Sequence, residues 1–352
     1  MIAAPAPEQD AFGELVRDVK RAVDARLGAL AAERTAWARA IGPDVEAVTT
    51  ALFDVATRGG KRVRPALVAA ASIGCGGPRD GAVLGAGVAL EVLHAYLLVH
   101  DDWMDGDDVR RGGPSAHAAL RERFGSRASG DACAVLAGDL GQAIAFVALA
   151  SLDAPADRVR AAMVEVSRML ARVVAGQVLD VRGASQTRDE VEAMHRLKTS
   201  SYTTTSPLVL GAILAGASES VREGLRAAGE PMGVAFQLAD DLLGTFGDPA
   251  RTGKSARSDL RSGKRTALVA ELEDDRAAQQ LLPRVFGVAD APDEEVDALV
   301  ARMVEGGAKA RVERRIATLL EESRARVGRL GLSRDGESLV RGAIDALGKR
   351  DA

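Results

Sequence analysis

The chain has 352 residues, with 46 Lys plus Arg against 50 Asp plus Glu, for a formal net charge of −4. Hydrophobic residues make up 47%, enough for a large core, which excludes the disordered and fibrous classes. The near-balanced charge leaves no electrostatic footprint for nucleic acid or an anionic membrane surface, and two cysteines exclude a disulfide scaffold.

The amino terminus, MIAAPAPEQD, lacks the basic start and apolar run of a secretory signal, so a cytoplasmic protein is expected, with Cys75 and Cys133 as buried thiols. Aromatic residues are only 3%, and the sequence leans on Ala, Leu, Arg and Glu, which favours helix over strand throughout. Residues 10–40 carry Phe12, Leu15, Val16, Val19, Val23 and Leu27 at helical spacing. The segment RGGKRVRP (58–65) breaks the pattern, and a helix should follow Pro65. From Val83 to Val99 apolar residues surround the whole helical wheel, interrupted only by Glu91 and His94. A helix apolar all round is buried, and those two polar residues with the aspartates that follow argue against a membrane span. After the loop 106–116, helices are expected at 131–152, 157–182, 188–216 and 219–246, then a mobile break over 247–266 rich in Gly, Asp, Lys and Arg. Two stripes follow, Val296/Leu299/Val300/Met303 and Val312/Ile316/Leu319/Leu320. No linker divides the chain and no strand alternation stands out, so one all-α domain over residues 1–352 is expected, its motifs within 58–266 and a helical carboxyl-terminal part over 267–352.

HDDWMDGDD (100–108) ends the buried helix with Asp101, Asp102 and Asp105. Positions 101 and 105 lie one turn apart, about 6 Å along the axis. Carboxylates at a helix carboxyl terminus meet the negative end of the macrodipole and repel one another. A hard cation reverses both penalties, and magnesium held by one or two carboxylates plus phosphate oxygens is the usual form. A solvated acidic loop is the alternative for any single such cluster. A second one, Asp240 and Asp241 in AFQLADDLLG, again follows an apolar helix and is closed by Gly244, which points to a metal-rich cavity. Lys61, Arg64, Arg110, Arg111, Lys198, Lys254 and Lys264 sit at loops or helix breaks near glycines, where backbone amides, Arg forks and Lys charges suit phosphate. Scattered surface charge explains any one of them but not the set. Metal and diphosphate at the mouth of an apolar tube indicate prenyl diphosphates.

Together GGKRVRP, LLVHDDWMDGDDVRRGGPSAH, LAGD (136–139), GQVLD (176–180), LKT (197–199), FQLADDLLGTFGDP and TGK…DLRSGKRT resemble the trans-isoprenyl diphosphate synthases, the polyprenyl synthetase family, from about residue 50 to about 270. The resemblance implies an isoprenoid synthase-type antiparallel helical bundle around a central hydrophobic pocket. It implies that Asp101, Asp102 and Asp105 bind magnesium gripping an allylic diphosphate, and that Asp240, supported by Asp241, binds a further ion. Three magnesium ions are expected with substrate bound, with manganese as a substitute. Arg110, Lys198 and Lys254, with Lys264 beside them, would hold the allylic diphosphate. Lys61, Arg64, His94 and Arg111 would hold isopentenyl diphosphate. Gln177, Asp180, Thr199, Phe236 and Gln237 match pocket positions, where Thr199 and Gln237 shield a developing cation. A homodimer is also implied.

This sequence departs from the family at Gly244, where DDxxD has its third aspartate, with Asp248 nearby, and at Ser258, which leaves Asp259 alone. The implied reaction is head-to-tail condensation of isopentenyl diphosphate with dimethylallyl, geranyl or farnesyl diphosphate, with the 247–266 loop closing to exclude water. His100 and His117 read equally as structural or functional. Product length should be set beside the helix leading to Asp101: Tyr96 lies about 7.5 Å and Leu93 about 12 Å below the metal, with Leu97 next to Tyr96. Tyr96 either obstructs a growing tail or packs against a neighbouring helix. An aromatic there implies short products, geranylgeranyl diphosphate first and farnesyl diphosphate second. A class I terpene cyclase, which binds one diphosphate, and a noncatalytic subunit of a heteromeric synthase are the competing readings.

Overall fold

The protein was analysed as a computed structural model, which describes residues 10–184, 187–247 and 257–348. Ten helices lead to the second aspartate pair: α1 (Ala11–Ile41), α2 (Pro43–Thr57), α3 (Val63–Gly74), α4 (Ala82–Asp105), α5 (Ala116–Phe124), α6 (Arg127–Ala150), α7 (Ala156–Val181), α8 (Arg188–His195), α9 (Ser206–Ala215) and α10 (Glu219–Phe246). Beyond it come α11 (Ser258–Arg261), α12 (Ala267–Ala270), α13 (Arg276–Val285), α14 (Asp293–Glu305), α15 (Ala308–Val327) and α16 (Arg334–Gly348). The all-α expectation holds, with one addition. The loop after α4 folds into a two-stranded hairpin, β1 (Val109–Arg110) paired antiparallel with β2 (Gly113–Pro114). Two-residue strands are too short to show any alternation in sequence.

The chain forms two compact units, each assembled from three stretches, so no linker in the sequence separates them. The first comprises Met1–Val164, Pro207–Ser218 and Leu332–Ala343. There α1 starts on Asp10, whose side chain accepts from the Gly13 amide, and buries the stripe Phe12, Leu15, Val19, Val23 and Leu27. Helix α4 packs against α6, α3 and α2. Both α4 and α6 are long and apolar enough to cross a membrane by length and composition, but 78% of the apolar window of α4 is buried inside the protein. Its apolar circumference is that of a core helix, as expected.

The second unit comprises Glu165–Ser206, Glu219–Gly331 and Ile344–Ala352. Here α10 contains Pro231, which removes the hydrogen bond to Ala227 O and crowds that turn. Side-chain donors reach that carbonyl and the three that follow it: Arg326 Nη1 on Ala227, Ser323 Oγ on Ala228 at 2.8 Å, Thr204 Oγ1 on Gly229 at 2.7 Å and Ser200 Oγ on Glu230 at 2.9 Å. The stripes of α14 and α15 are buried as expected, except that Val300 is half-buried.

One expectation fails. Residues 188–216 are not one helix: Arg196–Thr205, between α8 and α9, is a π-helix. Its hydroxyl-rich run explains the change, because Ser201 Oγ donates to Leu197 O (2.5 Å) and Thr204 Oγ1 to Ser200 O (3.1 Å), competing with the ordinary ladder. Cys75 and Cys133 form no disulfide and are half-buried, not buried as the sequence suggested; Cys75 caps the carboxyl end of α3, at the edge of the packed helix.

Candidate active site

In the first unit, α4 runs through the aspartate motif and ends on Gly106, whose left-handed backbone (φ 72°) turns the chain back. The hairpin then returns Arg110 to the helix end. Its Nε donates to Asp102 Oδ1 at 2.8 Å and Oδ2 at 3.1 Å, and Nη2 also donates to Oδ1. Asp102 is fully buried, and burial lifts its carboxyl above the usual range against the pull of Arg110. Asp101 is half-buried and Asp105 exposed, one turn apart on the outer side. The three aspartates thus separate into an outward pair and an inward partner for arginine.

His94, about two turns before Asp101, is buried, with Nε2 3.4 Å from Arg111 Nη2. Burial first, then the charges of Arg64, Arg111, Arg110 and Arg62, hold its pKa well below 6.5, so the imidazole is neutral at pH 7. Lys61 and Arg111 are exposed and Arg64 is half-buried. Arg58, which sequence reasoning passed over, donates from Nη1 to Arg110 O (3.0 Å) and Pro114 O (2.9 Å), tying the GGKRVRP turn to the hairpin. Its only signal in the sequence is its place as the first cation of that turn.

A depressed histidine pKa gives a pH dependence of defined sign. As pH falls below about 6.5 the unfolded chain takes up a proton that folded His94 resists, so stability present above 6.5 is lost on acidification. The wild-type melting temperature should therefore fall more between pH 7 and 5.5 than that of His94→Gln. Parallel slopes in thermal unfolding would contradict this assignment.

In the second unit, the π segment carries Lys198 and Thr199. Lys198 Nζ lies 2.5 Å from Asp180 Oδ2 of GQVLD. Thr199 Oγ1 donates to Gln237 Oε1 (2.8 Å), Gln237 Nε2 donates to Asp241 Oδ1 (2.9 Å), and the Ala267 amide donates to Asp241 Oδ2 (3.1 Å). Burial pushes Asp241 up to about 7 in spite of those donors, and buried His195, held to about 4 by burial, has Nε2 3.7 Å from it. Asp240 faces outward and is exposed. Gln177, Phe236 and Lys264 are half-buried in this unit, and the Lys264 charge acts on Asp241. Gly244 has its own explanation, because a Cβ there would stand 2.5 Å from Asp259 Oδ2. A carboxylate from position 259 occupies the space where a third aspartate's side chain would begin. Lys254, Asp248 and the rest of residues 248–256 within the 247–266 break, together with the Ser258 side chain, lie outside the described residues.

The remaining histidines of the first unit are held by neighbouring groups. His117 is buried between Asp108 Oδ1 (3.0 Å) and Ser115 Oγ (3.2 Å). His100 Nε2 meets Val135 O of α6 at 3.0 Å. α6 passes so close there that a Cβ at Gly138 would stand 2.2 Å from that ring. Tyr96 is buried with its ring edge-on to His100, centroids 4.9 Å apart, while Leu93 is buried and Leu97 half-buried.

Helices that end in aspartates beside arginine and lysine clusters define an all-α protein of the isoprenoid-synthase class. A sequence profile of the polyprenyl synthetase family matches residues 45–303. A (2E,6E)-farnesyl diphosphate synthase of Mycobacterium tuberculosis is 40% identical over 256 residues, covering 70% of this chain and 67% of the relative. A geranylgeranyl diphosphate synthase of Methanosarcina mazei is 33% identical over 273 residues, covering 76% of this chain and 79% of the relative. Among solved structures, a geranylgeranyl pyrophosphate synthase from Corynebacterium glutamicum, complexed with isoprenyl diphosphate and magnesium, matches with a TM-score of 0.87 at 30% identity, covering 98% of this chain and 100% of that one. The chain belongs to the polyprenyl synthetase family and is a prenyltransferase with the fold of that class.

Proposed function

We propose that the chain condenses isopentenyl diphosphate head to tail with an allylic diphosphate (dimethylallyl, geranyl or farnesyl), and that geranylgeranyl diphosphate is its main product. The observation that carries this is neutral His94 set among Arg64 and Arg111, two cations other than the Arg110 that Asp102 holds. Those cations form an anion site beyond what the aspartate motif needs, and an enzyme handling a single diphosphate has no use for it.

The donor set suits magnesium. The outward groups, Asp101, Asp105 and Asp240, offer only hard carboxylate oxygens. Magnesium bound through one or two carboxylates takes its other ligands from water and diphosphate oxygens. Asp101 and Asp105 would hold ions at the first motif and Asp240 at the second, with Asp259 beside Gly244. When bound, magnesium supplies positive charge that stabilises the departing diphosphate. Asp102 keeps Arg110 fixed, and Arg110, Lys198 and Lys254 are assigned to the allylic diphosphate. As its carbon–oxygen bond breaks, the Thr199 and Gln237 oxygens, locked through Asp241, face the allylic cation with fixed dipoles and need no reorganisation. The double bond of isopentenyl diphosphate, positioned by Lys61, Arg64, His94 and Arg111, attacks that carbon, and the released diphosphate accepts the lost proton. No side chain acts as nucleophile. A cytoplasmic homodimer with no membrane span fits this chemistry, and α6 leaves Leu136 and Val147 more than half exposed for a second copy.

Product chromatography of the purified chain with magnesium and each primer tests the reading. A twenty-carbon product is expected, and a fifteen-carbon end product would reassign it to farnesyl diphosphate. Release of a cyclic hydrocarbon without isopentenyl diphosphate would overturn condensation, and an inactive chain that turns over only with a partner would make it a subunit.

A further inference from the structure

Between Lys61 and Arg64, the cations assigned to isopentenyl diphosphate, Arg62 is buried. Its backbone lies at φ 53°, ψ 37°, the left-handed region that a non-glycine residue enters at a steric cost, just after Gly59 and Gly60 at φ 68° and 103°. Its guanidinium, 1% exposed, is held by three different helices. Nε donates to Asp24 Oδ1 of α1 (2.7 Å), Nη1 to Glu91 Oε2 of α4 (2.5 Å) and Nη2 to Ala56 O of α2 (3.0 Å). Glu91 is 3% exposed and lies three residues before His94 on the same helix. Its charge also reaches Arg111, so it is the buried counter-charge beneath a group of arginines that otherwise repel.

Stability alone does not account for this arrangement, because a buried ion pair is often matched or bettered by apolar residues of similar volume. What apolar residues cannot do is hold a left-handed turn at a fixed orientation through three directional bonds. That turn sends Lys61 outward while Arg62 goes inward. Arg111 is joined to the same turn through its Nη1 on Arg58 O (3.2 Å).

We propose that Arg62, pinned by Glu91 and Asp24, is a positioning residue that sets the relative placement of Lys61, Arg64, His94 and Arg111 and so governs affinity for the homoallylic diphosphate. The inference rests on the condensing activity proposed above. Arg62→Lys keeps the charge but cannot reach all three partners. It should raise the KM for isopentenyl diphosphate tenfold or more while the KM for the allylic substrate changes less than twofold. Arg62→Met leaves Glu91 buried without its partner and risks the fold, so the double variant Arg62→Met/Glu91→Met supplies the second arm. It should melt near the wild type yet keep the raised KM for isopentenyl diphosphate. Equal movement of both KM values, or a change in melting temperature alone, would overturn the proposal. Should the wild type elongate no primer, the condensing reading falls by itself. Calorimetric titration of isopentenyl diphosphate into wild type and Arg62→Lys then decides the question, with tenfold weaker binding supporting the role and equal binding removing it.

Discussion

Asp101→Ala should lower turnover by about a thousandfold or more while leaving the fold intact, the size of effect seen when charge stabilisation of a leaving group is removed. The structural half of that statement follows from the position of the side chain. Asp101 lies at the carboxyl end of α4 beside Asp102 and Asp105, where the helix dipole and the neighbouring carboxylates both disfavour its charge. Its charge also acts favourably on Arg110, so removing it sets relieved repulsion against a lost attraction, and the metal-free variant should melt close to the wild-type temperature. The functional half has its own readout. Magnesium with inorganic diphosphate should raise the melting temperature of the wild type and lose most of that effect in Asp101→Ala. Near-normal turnover in the variant would remove Asp101 from the metal site.

Asp102→Ala should behave differently although it is the adjacent residue. Its carboxylate is buried and bonded to Arg110, whose side chain is 18% exposed. Deleting it leaves a mostly buried guanidinium with only the longer pairing to Asp107, at 3.7 Å, and so should cost up to about 3 kcal/mol, the low end for broken buried pairs. The contrast separates a residue whose charge serves the metal from one whose charge serves a neighbouring arginine.

The pairing of Asp102 with Arg110 also shows what the sequence conveyed and what it withheld. The buried helix was legible because α4 is apolar on every side, and its end was legible because charged residues replace apolar ones at Asp101. The glycines of the turn were visible as well. Their consequence was not, because whether Gly106 sends Arg110 back to Asp102 or out to a phosphate depends on the φ of one residue. Arg58 and Arg62 escaped notice for a related reason. Their partners lie from 6 to 56 residues away, on three helices and a hairpin, and no local pattern marks such pairs. The π segment was hidden because hydroxyl back-bonding alters the ladder while the burial pattern of 196–205 stays close to helical. Gly244 read as a missing ligand until the fold placed Asp259 against it. Residue types and helix positions were thus readable, and long-range partners were not.

Tyr96→Ala should lengthen the products by one or more five-carbon units. Two readings of the residue remain open, and the structure gives each a distinct consequence. Tyr96 is 8% exposed, and its ring stands edge-on to His100, which is itself held by Val135 O. On its backbone side α6 is close, since a Cβ at Gly141 would lie 3.3 Å from Tyr96 Cβ. The ring is thus bounded by His100 and by α6, and if the pocket runs past this level of α4 on the ring's side, a prenyl tail would meet it as a wall. Removing the ring costs about 3–5 kcal/mol of packing, as for other large aromatics, so the melting temperature falls in either case and cannot discriminate. Product length can. A wall residue yields longer chains in Tyr96→Ala and unchanged chains in Tyr96→Phe, which keeps the ring and loses only the hydroxyl. A residue that merely packs against α6 yields the wild-type product in both variants, at lower stability in the first. Chromatography of the products from geranyl and farnesyl diphosphate therefore assigns Tyr96, and with it the length of the pocket above it.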